Sequence, residues 1–394
     1  MRLTRWATGM LKKNFLPFVE KFVRRQLTHP SLLNFKTIDR ILVVRSHDHL
    51  SDYLLSTPVL RALREHFPVA HLALVVRPRA GEAARHCEFI NELIVFPERG
   101  GEGTPTWRAF LRQLRQGFDL TIVLNTVSHS LTSDLVAHYT KSKHILGPAA
   151  FRFPHSSRNF FYDLISPYWE GVKHQTERNL DIVRHIGVDT ADHRSIITLL
   201  PEECAAGKKF LADAGVTESD LVVAMHIGAG KIRNRWHPEN FAAVAGHLQK
   251  EYDARVVAIW DAHEQNLGFH FLSSLDFRPI LAKGLSVRQI AAIIANCRLF
   301  IGNDSGAMQI AAAVKTPLIA IFGANGPEEW KPAGDEFVAI RAASRQCADV
   351  AAEQVMELLK SMLAKDIAAR RDGDDDFDIS DKVFKQYVKA LKKS

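Results

Sequence analysis

The sequence predicts an α/β protein made of two parallel-sheet units of similar size. Three observations support this. Short β-branched runs alternate with helix-period patterns, and that alternation implies parallel strands joined by crossover helices. The alternation occurs twice, and the signals weaken between the two stretches, near residues 190–218. The predicted layout is a basic amphipathic helical segment over 1–36, one unit over 37–195 and a second over 196–365. An acidic linker and a final helix follow over 366–394.

In the first segment Trp6, Met10, Leu11, Phe15, Phe18, Phe22 and Val23 recur at helical spacing among Lys12, Lys13, Lys21, Arg24 and Arg25, with Pro17 placed to kink or split the helix. Such a stretch suits an anionic membrane interface or the protein's own surface. Residues 41–44 (Ile-Leu-Val-Val) are too short for a helix and read as a buried strand. A helical pattern through Leu55, Val59, Leu63 and Phe67 follows. Strands are then expected at 71–76, 93–96 and 120–124, with a helix over 107–115. In the second unit Pro201 opens a helix. Strands are expected at 221–225, 255–260, 299–301 and 318–322, with a helix over 238–250. Past Lys365, Arg370-Arg371-Asp372-Gly373-Asp374 reads as a solvated linker. Ser380 or Asp381 would cap a last helix carrying Val383, Tyr387 and Leu391. Two such units, joined once, suggest a cleft at the carboxyl ends of their strands.

The chain has 394 residues, 46% of them apolar, enough for two real cores. Its formal charge of +7 points to an anionic partner. The cations are not interleaved into a nucleic-acid module, so nucleic acid is not the expected partner. Cys87, Cys204, Cys297 and Cys347 lie far apart, which argues against a zinc site or a disulfide scaffold and fits a reducing cytoplasm. No apolar run approaches a membrane span, and no secretory signal is expected.

Two loops of the second half carry chemistry. Phe300-Ile301-Gly302-Asn303-Asp304-Ser305-Gly306 ends a strand and opens an Ala-rich helix containing Gln309. Backbone N–H groups and the dipole at that helix start suit a diphosphate. Asp304 and Ser305 can cap the helix or bind a ligand hydroxyl, and the same residues would also suit an ordinary capped turn. The second loop, His226-Ile227-Gly228-Ala229-Gly230, precedes Lys231, Arg233, Arg235 and Trp236. Small residues allow close approach of a ligand, and three cations suit phosphate oxygens; a solvated basic loop has the same composition.

With these residues in place, the sequence resembles the heptosyltransferase family, glycosyltransferase family 9, as in the ADP-heptose:lipopolysaccharide enzymes. The Asn303–Gly306 loop with its helix is similar to the family signature, and Gly228-Ala229 with Arg235-Trp236 is similar to a second donor-side motif. Arg45 to Asp52, followed by residues 54–63, resembles the N-terminal motif. His174, Glu177, Arg178, Asn179 and Leu180, before Ile186-Gly187, match another stretch. The resemblance implies a GT-B fold, two Rossmann-like domains facing across a cleft, and inverting transfer from a nucleotide sugar, usually ADP-heptose. It places the general base on Asp52 and donor binding on Gly228, Ala229, Lys231, Arg235, Asn303, Asp304, Ser305, Gly306 and Gln309. Glu264 is similar to the acidic residue that holds the donor ribose. No metal and no cofactor beyond the nucleotide-sugar co-substrate are expected.

The physical reading of Asp52 agrees, since a carboxylate at a helix start can stay ionised and accept a hydroxyl proton, although it can also serve only as a cap. Three residues depart from the family pattern. Ser51 stands where Gly is usual and would be strained if a positive φ is needed. Gln309 stands where His is common, and Asn234 where Lys is common. Asp48 is a rival base, and His47, Asp48, His49 and Asp52 also read as metal ligands, a less ordinary role for polar loop residues. Arg77, Arg79 and Arg152, with Arg85, Phe151, Phe153, Arg158, Phe160 and Phe161, suit an anionic lipid-linked glycan acceptor or a plain basic face over core aromatics. The expected place is the cytoplasm, at the inner face of the inner membrane, with peripheral contact through the N-terminal helix. The alternative functions are a GT-B-like sugar-nucleotide epimerase or hydrolase, and a non-catalytic nucleotide-sugar or lipid-binding protein.

Overall fold

The computed structural model describes residues 20–46, 49–98, 105–150 and 158–373, the last nine of these by backbone alone. The chain divides into two compact units, Met1–Ser195 and Ile196–Ser394. Among the described residues each holds one six-stranded, all-parallel sheet.

In the first unit the strands are β1 (Arg40–Arg45), β2 (His71–Val76), β3 (Glu92–Val95), β4 (Leu120–Val123), β5 (His144–Pro148) and β6 (Leu164–Ser166), in the order β3-β2-β1-β4-β5-β6. The central strands are buried along almost their whole length, because helices cover both faces of a parallel sheet. The expected strands at 41–44, 71–76, 93–96 and 120–124 are all present. β5 and β6 were not expected, since Gly147 and Pro148 break the apolar run of one and three residues make the other.

The helical pattern after β1 forms two helices, α1 (Leu50–Leu54) and α2 (Thr57–His66). Pro58 lacks the N–H that would reach Leu54 O, and Thr57 Oγ1 donates to that carbonyl at 2.8 Å, while Tyr53 O accepts both the Ser56 N–H at 2.9 Å and Ser56 Oγ at 2.6 Å. Ser51 lies within α1 and is not among the positive-φ residues, so the serine needs no left-handed backbone and the anticipated strain is absent. The remaining helices of this unit are α3 (Pro78–Ala84), α4 (Trp107–Leu114), α5 (Leu131–Tyr139) and α6 (Gln175–Arg184).

The second unit has α7 (Pro201–Asp213), β7 (Val222–His226), α8 (Pro238–Tyr252), β8 (Arg255–Trp260), α9 (Gln265–Ser273), β9 (Ile280–Lys283) and α10 (Val287–Ala295). It continues with β10 (Leu299–Asn303), α11 (Gly306–Ala313), β11 (Leu318–Phe322), α12 (Pro327–Trp330), β12 (Phe337–Arg341) and α13 (Ala352–Gly373). Its sheet order is β12-β11-β10-β7-β8-β9, the same connectivity as the first sheet counted from its own first strand. In this doubly wound order the strands diverge between the first and fourth, leaving a crevice at their carboxyl ends. That crevice lies at β1/β4 in one unit and at β7/β10 in the other. The helix α13 runs on to Gly373, past the point at 366 where a linker was expected, because Asp366-Ile367-Ala368-Ala369-Arg370-Arg371 is rich in good helix formers.

Residues 20–23 form one helical turn, and the chain after it packs on the first unit itself. Arg25 N donates to Phe160 O at 3.0 Å, Thr28 N to Asp163 O at 2.9 Å, and Arg25 Nε to Asp163 Oδ1 at 2.8 Å. The rest of the amphipathic pattern, with Trp6 to Phe18, lies outside the described residues, as does the final helix with Val383, Tyr387 and Leu391. None of the helices among the described residues is long and apolar enough to cross a membrane.

Candidate functional site

The donor-side residues meet at the β7/β10 crevice, and Asn303, the last residue of β10, organises them. Its Nδ2 donates to Ile227 O at 3.3 Å and Gly228 O at 3.1 Å, and its Oδ1 accepts the Trp236 N–H at 2.9 Å. One buried amide therefore pins both ends of the 227–236 loop. The Trp236 indole anchors the far end, donating to Val350 O at 2.8 Å and packing edge-on against Phe241.

Glu264, 3% exposed, sits against the near end of that loop. A Cβ built on Gly228 would lie 2.0 to 2.2 Å from its carboxylate, so glycine here admits Glu264. The carboxylate accepts the Asp261 N–H at 3.0 Å, with Arg235 Nη2 at 3.8 Å and His226 Nε2 at 4.0 Å. Arg235 also donates from Nε to Ala229 O at 2.7 Å. Of the three cations expected to hold phosphate, Arg235 is thus engaged in bracing the loop, while Lys231 and Arg233 are exposed. Asp261, His263 and Glu264 offer ligand atoms within 4.8 Å of one another, a grouping that a cation would fit, although Glu264 already answers the Asp261 N–H and faces Arg235.

Asp304 turns away from the helix it precedes. Its Oδ2 accepts from Asn234 Nδ2 at 3.2 Å and Asn325 Nδ2 at 2.6 Å. Burial raises its pKa above the ordinary carboxylate value, opposed by the Asn325 hydrogen bond and the charge of Lys231. Ser305, at the N-cap of α11, makes no side-chain cap bond; its Oγ lies 3.4 Å from His226 Nδ1. The start of α11 at Gly306 is therefore left without the side-chain cap expected from Asp304 or Ser305. Gln309 is buried, donating from Nε2 to Trp330 O at 2.9 Å, and its Oε1 has no hydrogen-bond partner among the described residues.

In the first unit, Asp52 is 5% exposed in α1, and its Oδ2 accepts the His49 N–H at 2.9 Å. Its rival Asp48, and His47, lie outside the described residues. Asn179 fixes the ground around it, donating to Leu55 O at 3.0 Å and accepting from Thr126 Oγ1 at 2.6 Å. That buried role gives the His174-to-Leu180 stretch a physical reason. Arg77 donates to Ser46 O at 3.0 Å and pairs with Glu98 at 2.8 Å, while Arg79 is exposed on α3. Arg152, Phe151 and Phe153 lie outside the described residues. Phe160 and Phe161 are core residues, and Arg158 bonds the carbonyls of Tyr162 and Arg25, so these three hold the unit together and do not form an acceptor surface.

The sequence assigns no role to His226, although that residue begins the second loop, or to Asn325. His226 ends β7, where a buried strand gives no sign that its last side chain is polar for a purpose. Asn325, before Gly326-Pro327, carries only a turn signal.

Comparison with known proteins now decides the family. A family model described as glycosyltransferase family 9 (heptosyltransferase) matches residues 107–360. The chain belongs to glycosyltransferase family 9. Among similar proteins, a lipopolysaccharide heptosyltransferase 3 of Escherichia coli is 24% identical over 292 residues, 73% of this chain and 84% of that one. Its counterpart in E. coli strain K12 is 26% identical over 303 residues, 75% and 86% of the two chains. The solved family 9 glycosyltransferase of Veillonella parvula DSM 2008 superposes with a TM-score of 0.72 at 21% identity, covering 83% of this chain and 97% of that chain. E. coli ADP-heptose lps heptosyltransferase II gives 0.69 at 20% identity, covering 83% and 99%. These likenesses, with the two parallel sheets, show the two-domain GT-B fold of this glycosyltransferase.

Proposed function

We propose that this glycosyltransferase moves a heptose from ADP-heptose onto a hydroxyl of lipopolysaccharide core, inverting the anomeric carbon. The acceptor oxygen bonds to the anomeric carbon as the bond from that carbon to the diphosphate breaks. ADP leaves, and the hydroxyl proton passes to Asp52. The observation that carries this reading is the organised β7/β10 crevice, where the N-terminus of α11 lacks a side-chain cap beside Asp304. A bare helix end suits the departing diphosphate, and Lys231 and Arg233 add exposed positive charge. That provision needs no metal. Asp304 receives sugar hydroxyls, Glu264 the ribose, and Arg235 keeps the loop in place for both. Asp52, buried and oriented by the His49 N–H, is the proton acceptor.

The names of the relatives support lipopolysaccharide as acceptor class, and Arg77 and Arg79 supply charge for its anionic groups. The enzyme is placed in the cytoplasm, at the inner face of the inner membrane. The four free cysteines fit a reducing compartment, and the basic amphipathic pattern of 1–36 fits peripheral contact.

Thermal shift with ADP, UDP, GDP and ADP-heptose tests the donor: selective stabilisation by the adenine compounds is expected, and preference for UDP would move the reading to another sugar. NMR of the product's anomeric centre tests inversion. Sugar-nucleotide turnover without acceptor would indicate an epimerase or hydrolase. A stoichiometric metal whose chelation abolishes transfer would overturn the metal-free step.

A further inference from the structure

The segment between β6 and α6, residues 167–174, takes no part in the steps above, and α6 itself braces it. Arg178 of α6 donates from Nη1 to Trp169 O at 2.8 Å, from Nη2 to Gly171 O at 2.6 Å and from Nε to Lys173 O at 3.3 Å. Its guanidinium also lies over the Tyr168 ring, 5.1 Å from the centroid. The fork of one arginine thus fixes three alternate carbonyls of the loop. At the entry to the loop Ser166 Oγ donates to Asp181 O at 2.9 Å, which ties the end of β6 to the same helix. A surface loop held in this way has given up its conformational freedom before any ligand arrives.

What the braced loop presents is apolar. Trp169 is 64% exposed and Val172 66%. Trp107, the other widely exposed tryptophan among the described residues, packs edge-on against Phe96 and Phe110. Trp169 rests on a glycine instead. A Cβ built on Gly171 would lie 2.4 Å from the indole Nε1 and 3.0 Å from Cε2, so glycine admits the five-membered ring here. Leaving so much indole in water forgoes the stabilisation that burial would give, and a partner that covers it recovers that energy. The loop is not charged for an anion: Lys173 is paired with Asp181, and Glu170, next to the indole, is exposed. A phosphate or an anionic bilayer surface would meet that carboxylate, whereas an uncharged ring would not be repelled by it.

The position in the sheet indicates whose ring this is. β6 runs parallel to its neighbours, so the segment leaving it lies at the carboxyl ends of the strands, the side on which such sheets bind ligands. From that edge the chain crosses toward the β1/β4 crevice. Gln175, the first residue of α6, donates to Thr126 Oγ1 just after β4, and Asn179 donates to Leu55 O just after α1. Trp169 precedes Gln175 by six residues, at most about 20 Å of extended chain. The indole therefore stands on the same side of the sheet as Asp52, in the unit that the proposed reaction gives to the acceptor.

We infer that Trp169, held on the 167–174 loop by Arg178, is a stacking platform for one sugar ring of the acceptor and helps select an acceptor that has a ring in that place. A sugar ring carries its hydroxyls at the edge and presents C–H bonds on its face. A flat indole covers that face while the hydroxyls stay in water, and a rigid one does so with little entropy left to lose. This rests on the proposed transferase reading and assigns a specificity residue within it; Arg178 is a positioning residue.

The test uses the full chain and deacylated lipopolysaccharide core oligosaccharide, with binding measured calorimetrically without donor and transfer measured separately. Trp169→Ala is expected to weaken oligosaccharide binding and raise acceptor KM by about tenfold. Both kcat and donor KM should be unchanged, because a ring away from the reacting bond is held equally in the ground and transition states. Trp169→Phe, which keeps a flat aromatic face, should recover most of the loss; Trp169→Leu, apolar but not flat, should not. Arg178→Lys loses the fork and should share the acceptor defect while adding nothing to Trp169→Ala; if it fails to fold, the Trp169 series still decides. Binding to phosphatidylglycerol vesicles should be the same for wild type and Trp169→Ala. Unchanged oligosaccharide binding in Trp169→Ala, an equal rise in donor KM, a leucine variant as good as phenylalanine, or a defect confined to vesicle binding would overturn the assignment. Wild-type oligosaccharide binding without transfer would defeat the transferase reading, and the Trp169 series in the binding measurement would still decide this one.

Discussion

Two helices begin beside the crevices of the two sheets, and they treat their N-terminal turns in opposite ways. α1 closes on itself, with Asp52 accepting the backbone N–H of His49. α11 stays open, because Ser305 leans toward His226 and Asp304 is held by Asn234 and Asn325. An acidic residue stands near the start of both helices, yet only one answers its own helix. A helix end supplied with a carboxylate has no use for another anion, whereas a bare end attracts one. On the proposed function, the same doubly wound unit serves a proton acceptor in one copy and a diphosphate in the other.

The most severe break in this contrast is Asp52→Asn. The amide oxygen can still accept from His49 N–H, so α1 should remain, but the proposed proton acceptor is gone. Transfer kcat is expected to fall by about 10²–10⁴, with ADP binding unchanged by thermal shift. Wild-type kcat in this variant would remove Asp52 from the reaction.

The opposite break is to close the open helix. Ser305→Asp supplies a capping carboxylate, which should raise stability by about 1 kcal/mol while placing negative charge where the proposed diphosphate would sit. ADP affinity should fall by at least about tenfold, read by calorimetry. A variant that is more stable and binds ADP as before would show that the start of α11 is not the diphosphate site.

A milder change tests the loop between these extremes. Gly228→Ala drives a methyl into the Glu264 carboxylate, which must leave its place between the Asp261 N–H and Arg235. Donor KM is expected to rise roughly three- to tenfold, the value of one or two hydrogen bonds, with acceptor KM unchanged. If acceptor KM moved instead, Glu264 would not serve the donor.

Much of the fold was legible in the sequence because buried parallel strands are written as β-branched runs. Residues 71–76, 255–260 and 318–322 are strands with those same bounds. β6 and β12 were not legible, the first from its brevity and the second from its half-buried, mixed pattern at a sheet edge. At the donor loops, composition named the residues but not their partners. Lys231, Arg233 and Arg235 look alike as cations, and only packing shows that Arg235 braces Ala229. Asn234 and Asn325, far apart in sequence, meet on Asp304. His129 and Asp134, five residues apart, match no helical pairing, because His129 precedes α5 and reaches back to it. Spacing reveals elements, and side-chain direction at their ends requires coordinates.

The smallest expected effect concerns the cost of leaving α11 open. Asp304 is half-buried, and the desolvation of its carboxyl raises it above the ordinary range, so its folded pKa exceeds its unfolded one. The sign follows by linkage. Below the unfolded pKa the group is protonated in both states and folding loses nothing. As pH rises through the folded pKa, the desolvated carboxyl must ionise, and stability falls. Asp304→Asn removes that penalty, and an amide oxygen in the place of Oδ2 can still accept from both Asn234 and Asn325. The variant should melt above wild type at pH 7, by a few degrees at most, since about 1 kcal/mol moves a domain of this size by about 2–4 °C. The gap should close as pH is lowered through the carboxylate range. Calorimetric scans across that range decide the matter: a variant that melts lower at pH 7 would mean that the Asp304 charge, with Lys231 beside it, stabilises the crevice. The open helix would then carry no cost for its substrate to offset.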